Sequence, residues 1–162
     1  MKTGGHYRGF SLVEIMIVVT LIGILAMMVR MSVQRINLRA RSSAYLNDCR
    51  VFSAAFIQYA QEKGDFPADQ NGRKLFPPGM DGYLKRAQWL RVTPFGGDYD
   101  WDNKNASSSL GVRFKAAIRL NGCTMKIAEL QQIDRWVDDG NIKTGNLRVT
   151  DAGATVFFLI EP

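Results

Sequence analysis

Imidazole, proline and low-complexity sequence are nearly missing from this 162-residue chain. His6 is its one histidine and lies ahead of a long apolar run. If that N-terminal stretch is removed, no imidazole is left for a Ser-His or Cys-His nucleophilic system or a histidine metal site. That argues against a common hydrolase. No proline occurs before Pro67, so the usual helix breaker is absent from everything upstream. Acid is scarce there too: Asp48 is the only acidic residue between Arg30 and Arg50. No Ala-x-Ala exit follows the apolar run, and the run is longer than the core of a secretory signal peptide, so that reading fails. There are no internal repeats.

What the chain does have is concentrated near its start. Arg8-Gly9-Phe10-Ser11-Leu12-Val13-Glu14 leads into an apolar stretch that ends at Val29, before Arg30. Between Phe10 and Val29 the only polar side chains are Ser11, Glu14 and Thr20. An α-helix needs about 20 such residues to cross a bilayer. An acid near the centre of such a segment costs about 2.5–3.5 kcal/mol or more, which makes Glu14 a functional candidate; a plain single-pass anchor would not need it.

The run Gly9-Phe10-Ser11-Leu12-Val13-Glu14, followed by Ile15 to Val19 and Leu21 to Ala26, resembles the N-terminus of type IV prepilins and type II secretion pseudopilins. The resemblance implies a cytoplasmic leader cut by a membrane prepilin peptidase between Gly9 and Phe10. It implies N-methylation of Phe10 by the same peptidase/methyltransferase and a role for Glu14 in admitting the subunit to a filament. The chemistry agrees. Gly9 lacks a Cβ and can extend into a protease cleft. The freed amine, with a reference pKa of about 7.7–8.0, is largely cationic at neutral pH. In lipid, that amine and Glu14 of a neighbouring subunit could relieve each other's burial cost. Many family members carry a proline soon after the apolar run; this chain has Met31 and Ser32 instead.

The expected organisation is a leader over residues 1–9, a transmembrane half-helix over 10–29, an amphipathic half-helix over 30–63 and a globular domain over 64–162. Loss of residues 1–9 removes Lys2 and Arg8, lowering the formal charge from +6 to +4 and leaving 153 residues. Lys2 and Arg8 before the span, with the cleavage motif, place the leader in the cytoplasm and the globular part outside the inner membrane. Cys49 and Cys123 are the two cysteines. An exported protein permits one disulfide between them; two small buried thiols are the other reading.

Leu38, Tyr45, Cys49, Phe52, Phe56 and Tyr59 step by threes and fours, with Ser42 filling one gap. They predict one face of an amphipathic helix continuing from the membrane. Lys63-Gly64 and Pro67 stop it. A helix over 10–63 would be about 80 Å long. Arg30, Arg35, Arg39, Arg41 and Arg50 along it suit lipid headgroups, acidic surfaces of neighbouring subunits, or DNA; a solvated helix face is the alternative.

Residues 64–98, rich in Gly and Pro, read as a connecting region with a short helix or turn from Gly82 to Leu90. With Thr93-Pro94-Phe95-Gly96-Gly97, this region looks, more loosely, like the major pseudopilin pattern. Asp98 to Asp102 predicts a strand with Tyr99 and Trp101 inward and the acids facing water. As an EF-hand it fails, since the sixth and twelfth positions hold Asn103 and Ser109. Val112 to Leu120 predicts one strand, and Asn121-Gly122 a turn. Thr124 is the expected cap of a helix from about Met125 to Val137, stopped by Asp138-Asp139-Gly140. Leu147 to Val149 and Thr155 to Ile160 complete the strands. Major secretion pseudopilins often bind calcium in a C-terminal loop, but no matching acidic loop follows residue 140, so no metal or cofactor is expected.

The expected class is α+β, a long N-terminal helix on a small antiparallel sheet. The expected function is structural and non-enzymatic. The subunit would be held in membrane lipid and then packed beside others in a type IV pilus or a type II secretion pseudopilus. The alternative is a minor pilin acting as a binding module for DNA or adhesion through Arg73, Lys74, Lys85, Arg86 and Arg91.

Overall fold

The computed structural model describes residues 9–70, 72, 74–103, 106–107, 112–150, 153 and 155–161. Two compact units divide after Asn37. Helix α1, Leu12–Lys63, is continuous for 52 residues, as the missing proline allows. It begins two residues later than expected, with the Ser11 carbonyl accepting the first N–H bonds from Glu14 and Ile15. Among the described residues, α1 is the one helix long and apolar enough to cross a membrane.

From Leu38 onward, α1 contributes Tyr45, Cys49, Phe52 and Phe56, all fully buried. They meet a four-stranded antiparallel sheet, ordered β1-β4-β6-β5. Its strands are β1 (Asp98–Asn103), β4 (Ala116–Asn121), β5 (Leu147–Val149) and β6 (Thr155–Glu161). Strands β2 (Ala106–Ser107) and β3 (Val112–Arg113) form a separate two-stranded ladder. Helix α2 (Arg86–Trp89) lies in the Gly/Pro-rich connection, and α3 (Ile127–Val137) between β4 and β5.

The contact between α1 and the sheet is aromatic. Phe56 stacks on Trp101 with ring centroids 3.7 Å apart, Phe52 meets Tyr99 edge-on at 5.0 Å, and Tyr45 stacks on Phe95 at 4.4 Å. Trp89 packs edge-on to Phe52 and Phe56, and its indole N–H donates to the Leu75 carbonyl at 2.8 Å. Such pairs contribute about 0.5–1.5 kcal/mol each beyond area burial. Gly97 has φ +74°, and a Cβ there would lie 2.0 Å from the Asn121 carbonyl oxygen. Only glycine lets the loop after Phe95 pass this close to the end of β4.

Three expectations are corrected. Val112 to Leu120 is not one strand: the ladder breaks at Phe114-Lys115, and the pairing of β4 with β6 shifts between Ala116 and Ala117. The break changes which residues face inward. Phe114 joins Ala117, Phe157 and Leu159 in a small cluster on the other face of the sheet. Asp100 and Asp102 do not face water; each is about 3% exposed. Arg119, paired with Asp100 across β1 and β4, reaches both carboxylates, at 2.5 Å and 3.2 Å. Asn121 also donates to Asp100 at 3.0 Å. Cross-strand pairing thus replaces water as the partner of these acids. Thr124 does not cap α3. Its N–H and hydroxyl both donate to the Phe95 carbonyl at 3.0 Å, and Glu129 accepts from the Lys126 N–H at 2.9 Å to close the helix start.

Candidate functional site

Gly9 and Phe10 precede α1 and carry no regular structure. A Cβ built on Gly9 meets nothing within 4 Å, and Phe10 is 78% exposed. The bond between them is therefore open on both sides. Glu14 sits in the first turn of α1, where the unpaired N–H groups and the helix dipole favour an acid. Every residue from Leu12 to Met27 is exposed. This is a continuous apolar surface of the kind that a bilayer or other helices must cover. Thr20 is compatible with that cover, because its hydroxyl donates to the Met16 carbonyl at 2.7 Å and needs no outside partner.

The cationic residues behave differently from one another. Arg30, Arg35 and Arg41 are exposed, while Arg39 lies over the Trp136 ring at 5.2 Å. Of the residues considered for a basic binding surface, Lys74 pairs with Asp98 at 3.5 Å. Arg86 pairs with Asp81 at 2.9 Å and lies over Phe76, and Arg91 is bound to Asp48. Lys85 is exposed; Arg73 lies outside the described residues. Three of the five are thus already engaged within the chain.

Cys49 and Cys123 are both free thiols. Cys49 is fully buried in the α1 stripe, and burial pushes its thiol far above the ordinary range. Cys123 is half-buried just past β4 and packs against the same core.

Asp48 is the residue that sequence reasoning missed. It is 1% exposed and accepts from the Tyr99 hydroxyl at 2.7 Å, the Gln88 amide at 3.3 Å and the Arg91 guanidinium. A signal for it existed: position 48 lies three residues after Tyr45 and four before Phe52, on the inward stripe.

Comparison with known proteins places these features in a family. Residues 5–29 match the model of the prokaryotic N-terminal methylation motif. The type II secretion system core protein G of Pseudomonas aeruginosa is 33% identical over 104 residues, 57% of this chain and 71% of that protein. The core protein G of Klebsiella michiganensis is 30% identical over 103 residues, 57% of this chain and 70% of its own length. The fold is similar to the major type IV pilin of Clostridium difficile, with a TM-score of 0.54 at 11% identity. That match covers 79% of this chain and 98% of the other.

Proposed function

Because the chain belongs to the type II secretion system core protein G family of pseudopilins, we propose that it is a structural subunit of a secretion pseudopilus, assembled through the first half of α1. The observation that carries this reading is the fully exposed apolar surface from Leu12 to Met27, interrupted by a single acid at Glu14. In the membrane the surface is covered by lipid. In the filament it is covered by the same segment of neighbouring subunits, so transfer between the two costs little hydrophobic energy. Glu14 is then what distinguishes the two states, because in the filament it pairs with the Phe10 amine of a neighbouring subunit.

Residues before Phe10 act as the cytoplasmic leader. A prepilin peptidase cuts after Gly9 and the new amine of Phe10 is methylated. The globular part stands on the outer side of the inner membrane, and the subunit joins an extracytoplasmic filament. The pairing of the Phe10 amine with Glu14 of a neighbour sets the register. The reading is tested in the native host by shearing and sedimenting filaments and probing for this chain. Its presence in a pelletable polymer that depends on the secretion machinery is the expected result. A chain found only as dispersed membrane protein under assembly conditions overturns it.

A further inference from the structure

The stem carries a second feature beside its apolar surface and Glu14. Every basic residue from Arg30 to Arg50 is an arginine and none is a lysine. The one acid among them, Asp48, is taken up by Tyr99, Gln88 and Arg91. Arg30 and Arg35 belong to the N-terminal unit, which ends at Asn37. Both are exposed, and among the described residues neither has an ion-pair partner. Basic residues favour the cytoplasmic side of a span, so two of them just past its outer end oppose the leader-in orientation. An anionic partner outside the chain offsets that cost.

Position selects the partner. If Phe10 to Val29 fill the hydrocarbon core, the headgroup layer beyond them is about 5–7 Å deep. At about 1.5 Å per residue, Arg30 enters that layer at once. Arg35 stands about 9 Å past Val29, close enough for a long side chain to snorkel back into the layer. Five residues turn a helix by about 140°, so the two guanidinium groups face different sides and reach different lipids. Val33 and Ile36, exposed at 47% and 64%, fall opposite the arc that the arginines span. Headgroups therefore meet the basic side, and the opposite side continues the apolar surface of the stem.

We propose, on the reading of α1 as a membrane span, that Arg30 and Arg35 bind the phosphate groups of anionic phospholipids in the leaflet on the side of the globular part. A guanidinium presents parallel N–H donors to two phosphate oxygens at once, a match that an ammonium lacks. A zwitterionic lipid carries its own ammonium beside the phosphate. Phosphatidylglycerol carries none, so its charge is left for the arginines. Each basic residue near an anionic surface strengthens association about fivefold. The two contacts hold the span at a fixed depth in the bilayer, and both phosphates must be released when the subunit leaves it.

The test uses the full-length chain in phosphatidylcholine vesicles containing a trace of spin-labelled phosphatidylglycerol or spin-labelled phosphatidylcholine. Electron paramagnetic resonance reads the fraction of each label immobilised on the protein. A preference for phosphatidylglycerol of at least about fivefold is expected, shrinking in high salt. Arg30→Gln and Arg35→Gln should each lower it several-fold, and the double variant more, with the near-ultraviolet circular dichroism of the globular part unchanged. Arg30→Lys should keep part of it. Arg41→Gln, exposed farther along α1, should leave it intact. Excess inorganic phosphate should not displace the label; displacement would mark a site for free phosphate and overturn the proposal. An undiminished preference in the double variant also overturns it, and loss of that variant from filaments would then assign the arginines to a subunit contact. Alkaline carbonate extraction separates the two readings. A chain kept in the membrane pellet without lipid preference overturns the phosphate contacts alone, whereas a chain released to the supernatant overturns the span as well.

Discussion

Asp48 of α1 and Arg91, two residues past α2, are joined by an ion pair in which the acid is almost wholly buried and the guanidinium is half-exposed. Tyr99 of β1 donates to the same carboxylate at 2.7 Å. One side chain therefore ties the long helix, the Gly/Pro-rich connection and the first strand together. Removing it should be felt more than removing its exposed partner.

Asp48→Ala is expected to destabilise the globular part by about 2–4 kcal/mol, because it strands the Tyr99 hydroxyl and removes the anchor of Arg91. Asp48→Asn keeps an acceptor for Tyr99 and should cost less. Arg91→Ala leaves the carboxylate with Tyr99 and Gln88 and should fall between them. Thermal or urea unfolding of the chain in detergent, followed by near-ultraviolet circular dichroism, ranks the three. An Asp48→Ala protein as stable as wild type would remove the hub role.

The core should also fail at high pH before it fails at neutral pH. Tyr45, Cys49 and Tyr99 are all pushed up by burial, from ordinary values of 10.0 for tyrosine and 9.0 for cysteine. In the unfolded chain they ionise near those values; in the folded chain they stay neutral. Stability is thus fully present below about pH 9 and lost above it. The slope is about 1.4 kcal/mol per pH unit for each group ionised only in the unfolded state. A Tm that falls between about pH 9 and 10.5 is expected; a flat profile there contradicts it.

Thiol chemistry follows from the same burial. Cys49 should resist alkylation in the folded chain at neutral pH, because the thiolate is the reactive form and burial suppresses it. After denaturation without reductant, two labels per chain are expected by mass spectrometry. Zero labels would show that Cys49 and Cys123 are bridged.

The parts of this fold legible in the sequence are those set by local chemistry. The α1 stripe from Tyr45 to Phe56 follows the helical period, and Lys63-Gly64 and Pro67 mark its end. Leu147 to Val149 and the strand from Thr155 read correctly from β-branched and aromatic content. What stayed hidden depends on partners distant in sequence. Asp100 and Asp102 look solvent-facing until Arg119 is laid across from them. Phe114 looks inward until the pairing shift after Lys115 turns it to the other face. Asp48 looks like a surface acid among arginines, although it lies on a buried stripe. At the N-terminus the apolar run, Gly9, Phe10 and Glu14 are read from the sequence directly, and the roles proposed for them rest on lipid and other subunits rather than on the chain's own core.

Cleavage is expected after Gly9. The bond lies ahead of α1, and the glycine is open on all sides. Intact-mass measurement of protein extracted from native membranes should show a chain starting at methylated Phe10. Gly9→Val places a branched side chain at the scissile bond and should leave the leader attached. Efficient processing of that variant, or recovery of only full-length wild type, would displace the site.

Glu14 should matter for assembly and little for folding. It lies in the first turn of α1, among exposed residues, so none of the globular core depends on it. Glu14→Ala removes an acid from an apolar segment and leaves a better membrane helix. The variant should insert, lose its leader and accumulate as wild type does. What it lacks is the partner for the Phe10 amine of a neighbouring subunit, and with it the register that admits it to the filament. Glu14→Gln separates charge from size: it keeps a polar group of similar length but cannot balance a cation, so it should fail nearly as badly. Sheared filaments and site-directed cross-linking in membranes read both variants. Normal processing with at least a tenfold loss from the filament fraction is the expected pattern. If Glu14→Ala assembles like wild type, the acid is merely tolerated near the membrane edge, and the register must come from packing of the apolar surface alone.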